Sequence, residues 1–68
     1  MPLEQQDKRV LQIATILSEA EGFNERAMLH LNDDSGQLAI SSLEAARDRI
    51  NRAISIATEI RNDQKKGQ

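Results

Sequence analysis

The sequence predicts an all-α fold: an antiparallel hairpin of two helices, at about residues 3–32 and 41–63, which pairs with a second copy to form a four-helix bundle. Three observations support this prediction. Apolar residues recur in steps of three and four in both halves of the chain. A run of turn-forming residues separates the halves, and the apolar faces are too wide for one hairpin to cover. Residues 1–68 then form one domain with a frayed tail at 64–68.

The first predicted helix carries an apolar stripe, interrupted by Asn24 and widened by Ile16 and Phe23. The residues of this stripe are Val10, Ile13, Leu17, Ala20, Ala27 and Leu31. Gly22 is the weak point, because a glycine inside a helix costs about 1 kcal/mol relative to alanine. The helical spacing of the apolar residues continues unchanged across Gly22, so one continuous helix is favoured. The alternative is a helix that stops at Gly22, followed by a short helix capped by Asn24.

The five residues 32–36, Asn-Asp-Asp-Ser-Gly, are the clearest break in the chain. Where the second helix begins is less clear, since Asp34 followed by Gln37 matches a capping box. Ser41 followed by Glu44 matches another, and it is favoured because a periodic apolar run follows it directly. Residues 37–40 are then a connector or a first, looser turn. The residues of that apolar run are Leu43, Ala46, Ile50, Ala53, Ala57 and Ile60.

Charged residues favour the antiparallel hairpin. A short turn near residue 35 brings together residues whose numbers sum to about 72, so acidic stretches of the first helix meet basic stretches of the second. The expected neighbours are Glu25 with Arg47, Glu19 and Glu21 with Arg49 and Arg52, and Arg9 with Asp63.

Apolar residues outside a single helix–helix contact predict association with another chain. A homodimer is favoured, because two-fold dimers are the commonest soluble oligomers. The predicted dimer or partner interface comprises Val10, Ile13, Leu17, Phe23, Leu43, Ile50, Ile54, Ala57 and Ile60. A hairpin completed by a different protein, or a three-helix fold, remains an alternative. Asn24, on the apolar stripe, could set the register or the oligomeric state at a cost in stability.

No catalytic, cofactor-binding or metal-binding set is predicted. The chain has no cysteine and one histidine, and its three glycines are scattered. His30 with Asp33 or Asp34 is the nearest approach to a catalytic grouping. A histidine that interacts with the carbonyl groups at the end of the helix is the favoured interpretation, and the two aspartates are better explained as turn residues.

These observations predict a non-enzymatic interaction or regulatory module acting as a homodimer, of an adaptor, chaperone-like or inhibitor type. One alternative is a small nucleic-acid regulator that uses Arg47, Arg49 and Arg52, although the net charge of −2 argues against it. Another alternative is a subunit that folds only in a hetero-complex. No signal-peptide pattern and no long apolar run is visible, so a cytoplasmic location without membrane contact is expected.

Overall fold

The computed structural model of the protein consists of two helices packed against each other. It describes residues 7–66, except for the side chain of Lys66. Helix α1 spans Lys8–Asn32 and helix α2 spans Gly36–Lys66. The helices are antiparallel, because the Nη1 atom of Arg9 lies 2.9 Å from Oδ2 of Asp63, at the open end of the hairpin. The all-α hairpin predicted from the sequence is confirmed, and no strand occurs within 7–66.

Helix α1 begins later than predicted. Asp7 has an extended backbone (φ −67°, ψ 127°), and its side chain accepts a hydrogen bond from the N–H of Arg9, so Asp7 is the N-cap. The prediction of a helix from about residue 3 is therefore wrong at Asp7, because this residue is not helical. Residues 3–6 lie outside the described part of the chain. A short acceptor side chain at Asp7 satisfies an N–H group of the first turn, which favours a helix start at Lys8.

The prediction that one helix continues through Gly22 is confirmed. Gly22 lies within α1, and no glycine among the described residues has a positive φ. The alternative of a helix that stops at Gly22, followed by a short helix capped by Asn24, is thereby contradicted. A Cβ atom added to Gly22 would meet no atom within 4 Å, so the glycine is not required by close packing.

The turn is shorter than the sequence suggested. Asp33 is the C-cap of α1, and Asp34 has a left-handed backbone with φ 59°. The N–H of Ser35 donates to the carbonyl of His30 at 2.7 Å, and the N–H of Asp34 donates to the carbonyl of Leu31 at 3.2 Å. These two bonds form a Schellman motif, which satisfies the last carbonyl groups of α1 and reverses the chain within three residues.

Helix α2 begins at Gly36, not at residue 41 as predicted. The carbonyl of Ser35 accepts a hydrogen bond from the N–H of Ala39 at 3.0 Å, so Ser35 occupies the N-cap position. The segment interpreted as a connector is therefore helical, and its Ala39 is buried (1% exposed). The helix also continues to Lys66, beyond the predicted end at residue 63, and so includes part of the tail expected to fray.

One line of buried and half-buried residues on each helix forms the contact, which we call the seam. The seam residues of α1 are Arg9, Ile13, Ile16, Ala20, Phe23, Ala27 and His30, and those of α2 are Ala39, Ser42, Ala46, Arg49, Ala53, Ile56 and Ile60. Steps of four and three alternate along both lines, which is the seven-residue spacing of packed antiparallel helices. Five of the six buried residues in the described chain are alanines, and these small side chains let the helices approach closely.

The register agrees with the predicted sum of about 72. Arg9 pairs with Asp63 at 2.9 Å, and the guanidinium carbon of Arg49 lies 5.4 Å from the ring centroid of Phe23. Phe23 is therefore level with Arg49 along the hairpin. The expected neighbours Glu19 and Arg49 also meet, with 3.1 Å between Oε1 and Nε.

Candidate interaction surface

One side of the hairpin is apolar and exposed. We call it the apolar face and define it by Val10, Leu17, Leu31, Leu43, Ile50 and Ala57. Its five large side chains are between 41% and 51% exposed. Each member of the face directly follows a seam residue in the sequence, so it is turned about 100° from that residue around its helix.

Both helices contribute to the same side of the molecule. Seen from one end of the hairpin, α1 runs away from the viewer and α2 runs toward the viewer, so the helices wind in opposite senses. Equal steps beyond the seam therefore lead to the same side on both helices. Leu17 and Ile50, which follow Ile16 and Arg49, are thus neighbours across one continuous surface.

Two rows border the apolar face and mix apolar with charged residues. The row on α1, called the α1 edge, comprises Ala14, Glu21 and Met28, and the row on α2, called the α2 edge, comprises Ile40, Arg47, Ile54 and Arg61. All seven residues are exposed. Asn24 is the one polar residue between Leu17 and Leu31 on the face, and it is exposed as well.

The opposite side, called the polar face, carries Gln12, Glu19, Arg26, Arg52 and Glu59, and near the turn also Ala45 and Leu38, which is 54% exposed. The guanidinium carbons of Arg26 and Arg49 lie 5.5 Å and 5.4 Å from the Phe23 ring centroid, within the range of a cation–π interaction. These side chains, with Glu19 and Gly22, line an open depression of about 230 Å³. A second depression of about 270 Å³ lies beside Arg52. Both are smaller than the roughly 300–1,000 Å³ of typical small-molecule sites.

The predicted interface residues divide into three groups. Val10, Leu17, Leu43, Ile50 and Ala57 lie on the apolar face, and Ile54 lies on the α2 edge. Ile13, Phe23 and Ile60 are half-buried in the seam, where they contact the other helix of the same hairpin. Sequence reasoning did not include Met28 or Ile40 in the interface. Ile40 was left out because it was assigned to a connector. Its spacing of seven residues from Arg47, and of a further seven to Ile54, is the sequence signal that places it on the same row of α2.

The three arginines proposed for nucleic-acid contact do not share one side of α2. Arg47 is about 160° around the helix from Arg49 and about 140° from Arg52. The Nη2 atom of Arg47 lies 3.8 Å from Oδ1 of Asp48, and Arg49 bonds to Glu19. An acidic side chain therefore accompanies two of the three arginines, which reduces their attraction for phosphate groups.

Ion pairing is strongest at the open end of the hairpin. Arg9 donates from Nε to both carboxylate oxygens of Asp7, at 2.9 and 3.0 Å, and also bonds to Asp63. The hydrogen bond from the Arg9 side chain, together with the one from its backbone N–H, lowers the pKa of Asp7 to about 2. Hydrogen bonds to Asp7 and Asp63 in turn raise the pKa of Arg9. This network joins the N-cap of α1 to the last turns of α2.

Residues 7–66 contain no cluster of three or more His, Asp or Glu side chains placed to hold a metal ion. His30 is half-buried in the last turn of α1. Neither described helix has an apolar stretch long enough to cross a membrane.

The fold and the two faces define a small all-α hairpin with one apolar and one polar side. In comparisons with known proteins, no family model, no curated protein and no solved structure matched this chain.

Proposed function

We propose that this protein is a non-enzymatic interaction module that works as a homodimer. Two hairpins pack through their apolar faces into a four-helix bundle, and the polar faces remain outside, where another protein can bind. The observation that carries the proposal is the concentration of exposed Leu, Ile and Val side chains on one side of the hairpin. Contiguous apolar surface of this kind marks an association site.

The small core of the hairpin supports the proposal. Among the described residues, Ile16 is the only large apolar side chain that is buried, whereas eleven are at least 41% exposed, eight of them on the apolar face and its two edges. Burial of an alanine removes little apolar surface from water, and chains of this length are marginally stable even with a full core. A second chain on the apolar face would supply the missing burial.

Sedimentation equilibrium on the full chain, with circular dichroism on the same samples, tests the proposal. We expect a helical dimer that persists at low micromolar concentration. A helical monomer over the whole concentration range would contradict the proposal. A monomer with weak helicity would also contradict it, and would favour the alternative of a subunit that folds with a different protein.

A matched pair of leucine variants locates the interface. Leu17 lies on the apolar face, whereas Leu11, 60% exposed, lies on the side of α1 away from both the seam and this face. Leu17→Gln removes apolar burial twice in each dimer and should raise the dimer dissociation constant at least about tenfold. Leu11→Gln should leave it unchanged. Equal effects of the two variants would place the interface elsewhere.

The nucleic-acid alternative has a distinct signature, an affinity that falls steeply with salt. We expect no salt-dependent binding to duplex or single-stranded probes near physiological salt, because Glu19 and Asp48 accompany Arg49 and Arg47. Steep, salt-sensitive binding that is lost when Arg49 and Arg52 are replaced by glutamine would support that alternative.

A further inference from the structure

We infer that the two hairpins pair with their turns at the same end, so that α1 of each copy packs against α2 of the other. This inference rests on the proposed homodimer and adds the orientation of the second copy. A second copy of this chain thus covers the apolar face, and the inference selects one of the two orientations that this copy could take.

Two-fold symmetry allows two ways to bring the apolar faces together. In the same-end arrangement, the symmetry axis runs parallel to the helices, and the α1 edge of one copy faces the α2 edge of the other. In the opposite-end arrangement, the axis runs across the hairpin. The α1 edge then faces the α1 edge, and the α2 edge faces the α2 edge. The charges on the edges therefore distinguish the two arrangements.

The edges carry opposite charges. Glu21 is the charged residue of the α1 edge, and Arg47 and Arg61 are those of the α2 edge. The same-end arrangement places the acidic edge against the basic edge twice in each dimer. The opposite-end arrangement has its axis near the level of Asn51, which is also the level of Glu21, so it places Glu21 against Glu21 of the second copy. Arg47 and Arg61 then lie opposite Ile54 and Ile40 of the second copy, without an acidic residue to pair with. Like charges across an interface are unfavourable and select against that orientation.

The register also fits the same-end arrangement. Within one hairpin, Glu19 lies one turn before Phe23, which is level with Arg49, and Glu19 bonds to Arg49 at 3.1 Å. Glu21 lies one turn before the position level with Arg47, so it has the same offset. A symmetry axis parallel to the helices keeps levels unchanged, so Glu21 lies within about one turn of the level of Arg47 of the second copy.

Apolar residues of the two edges match at this offset too. Ala14 lies one turn before the position level with Ile54, and Met28 lies one turn before the position level with Ile40. At this offset the same-end arrangement brings Glu21 to Arg47, Ala14 to Ile54 and Met28 to Ile40. Arg61 has no partner among the three residues of the α1 edge. Met28, Ile40 and Ile54 are 51% to 59% exposed in the hairpin, and they would be covered in this dimer.

Distances between spin labels on the two copies test the orientation, and the absence of native cysteine allows single labels. Gln37 and Asn51 are exposed and lie on the same row of α2, away from the apolar face. In the same-end arrangement, the label-to-label distances at Gln37→Cys and Asn51→Cys should agree within about 5 Å, because an axis parallel to the helices keeps equivalent residues equally far apart at every level.

The opposite-end arrangement predicts a different result. Asn51 is level with the middle of the apolar face, and Gln37 is 14 residues from it, so the distance at Gln37 would be about 40 Å and at least about 20 Å longer than at Asn51. That result, or two distances for one label, would overturn the inference but leave the homodimer intact. Absence of any dipolar coupling, with a monomer in sedimentation, would overturn the homodimer and the inference together.

Charge reversal provides an independent readout. In the same-end arrangement, Glu21→Arg alone and Arg47→Glu alone should each weaken the dimer by roughly three- to tenfold. The double variant should restore most of the affinity, because the reversed charges still face each other. In the opposite-end arrangement each edge faces itself, so all three variants should leave the dimer affinity nearly unchanged. That second outcome would contradict the inference.

Discussion

At the scale of the residue, Asp34 holds an unusual backbone conformation. Its φ of 59° lies in the left-handed region, at the position after the α1 C-cap where glycine is favoured. We expect Asp34→Gly to raise the free energy of unfolding by up to about 1 kcal/mol, whereas Asp34→Ala lowers it. Urea denaturation at one protein concentration measures both. An alanine variant as stable as the glycine variant would contradict this explanation.

The carboxyl group of Asp7 makes the stability of the folded protein depend on pH. Its pKa in the folded protein, about 2, lies below the ordinary value of 3.8, so the charged form is favoured by folding. The contribution of Asp7 is therefore fully present above the ordinary pKa and is lost as the pH falls from about 4 toward 2.

Asp7→Asn is the matched variant, because it keeps an N-cap acceptor but cannot titrate. We expect the wild-type chain to be more stable than this variant at pH 5, and the difference to shrink as the pH falls to 2. Thermal unfolding at a series of pH values gives the difference, in which the other carboxylates cancel. A difference that stays constant with pH would show that the pair with Arg9 is not what stabilises the charged form.

At the scale of the element, Gly22 weakens α1 without serving its packing. An added Cβ meets nothing within 4 Å, and the residue lies well inside the helix. We expect Gly22→Ala to stabilise the protein by up to about 1 kcal/mol. Gly36→Ala is the control, because Gly36 has equal space but is the first residue of α2, where helix propensity matters less. Destabilisation by Gly22→Ala would contradict the expectation.

The helices themselves were largely predictable, whereas their ends were not. Both helices and the break between them follow from local spacing and from five consecutive turn-forming residues. The start of α2 was predicted five residues too late, since Ser41 with Glu44 matches a capping box that lies inside the helix. The Schellman motif at Asp34 allows a shorter turn than the sequence predicted. This motif is hard to recognise from the sequence here, because aspartate and not glycine occupies the left-handed position.

At the scale of the whole molecule, Asn24 connects stability with assembly. It is exposed in the hairpin but lies between Leu17 and Leu31 on the apolar face, so the proposed dimer would bury it. We expect Asn24→Leu to raise the melting temperature while allowing other oligomeric states, because a buried polar residue restricts register at a cost in stability. Sedimentation velocity and thermal unfolding measure the two effects.

Asn51→Leu is the control for this prediction, since Asn51 lies on the outer side of α2. It should leave the oligomeric state unchanged. A more stable Asn24→Leu variant that forms the same single dimer would contradict a role of Asn24 in register.

The sequence by itself determined that two helices form, that they pair antiparallel, and that residues level with each other have numbers summing to about 72. Helical spacing, turn chemistry and the charges of Arg9, Asp63, Glu19 and Arg49 suffice for that, because each acts locally or through long-range charge pairing. The contacts of Arg9 with Asp63 and of Glu19 with Arg49 confirm the register.

Only the tertiary structure decided which side of each helix faces the other. Ala20 and Ala27 belong to two overlapping apolar rows, one that continues through Ile16 and one that continues through Leu17. A rotation of α1 by about 50° exchanges these rows with little change in local preference, because both flanks of the alanines are apolar. The hairpin buries Ile16 and leaves Leu17 exposed, in the orientation that also brings Phe23 beside Arg49. Contacts between distant parts of the chain make that choice, which sequence spacing alone leaves open.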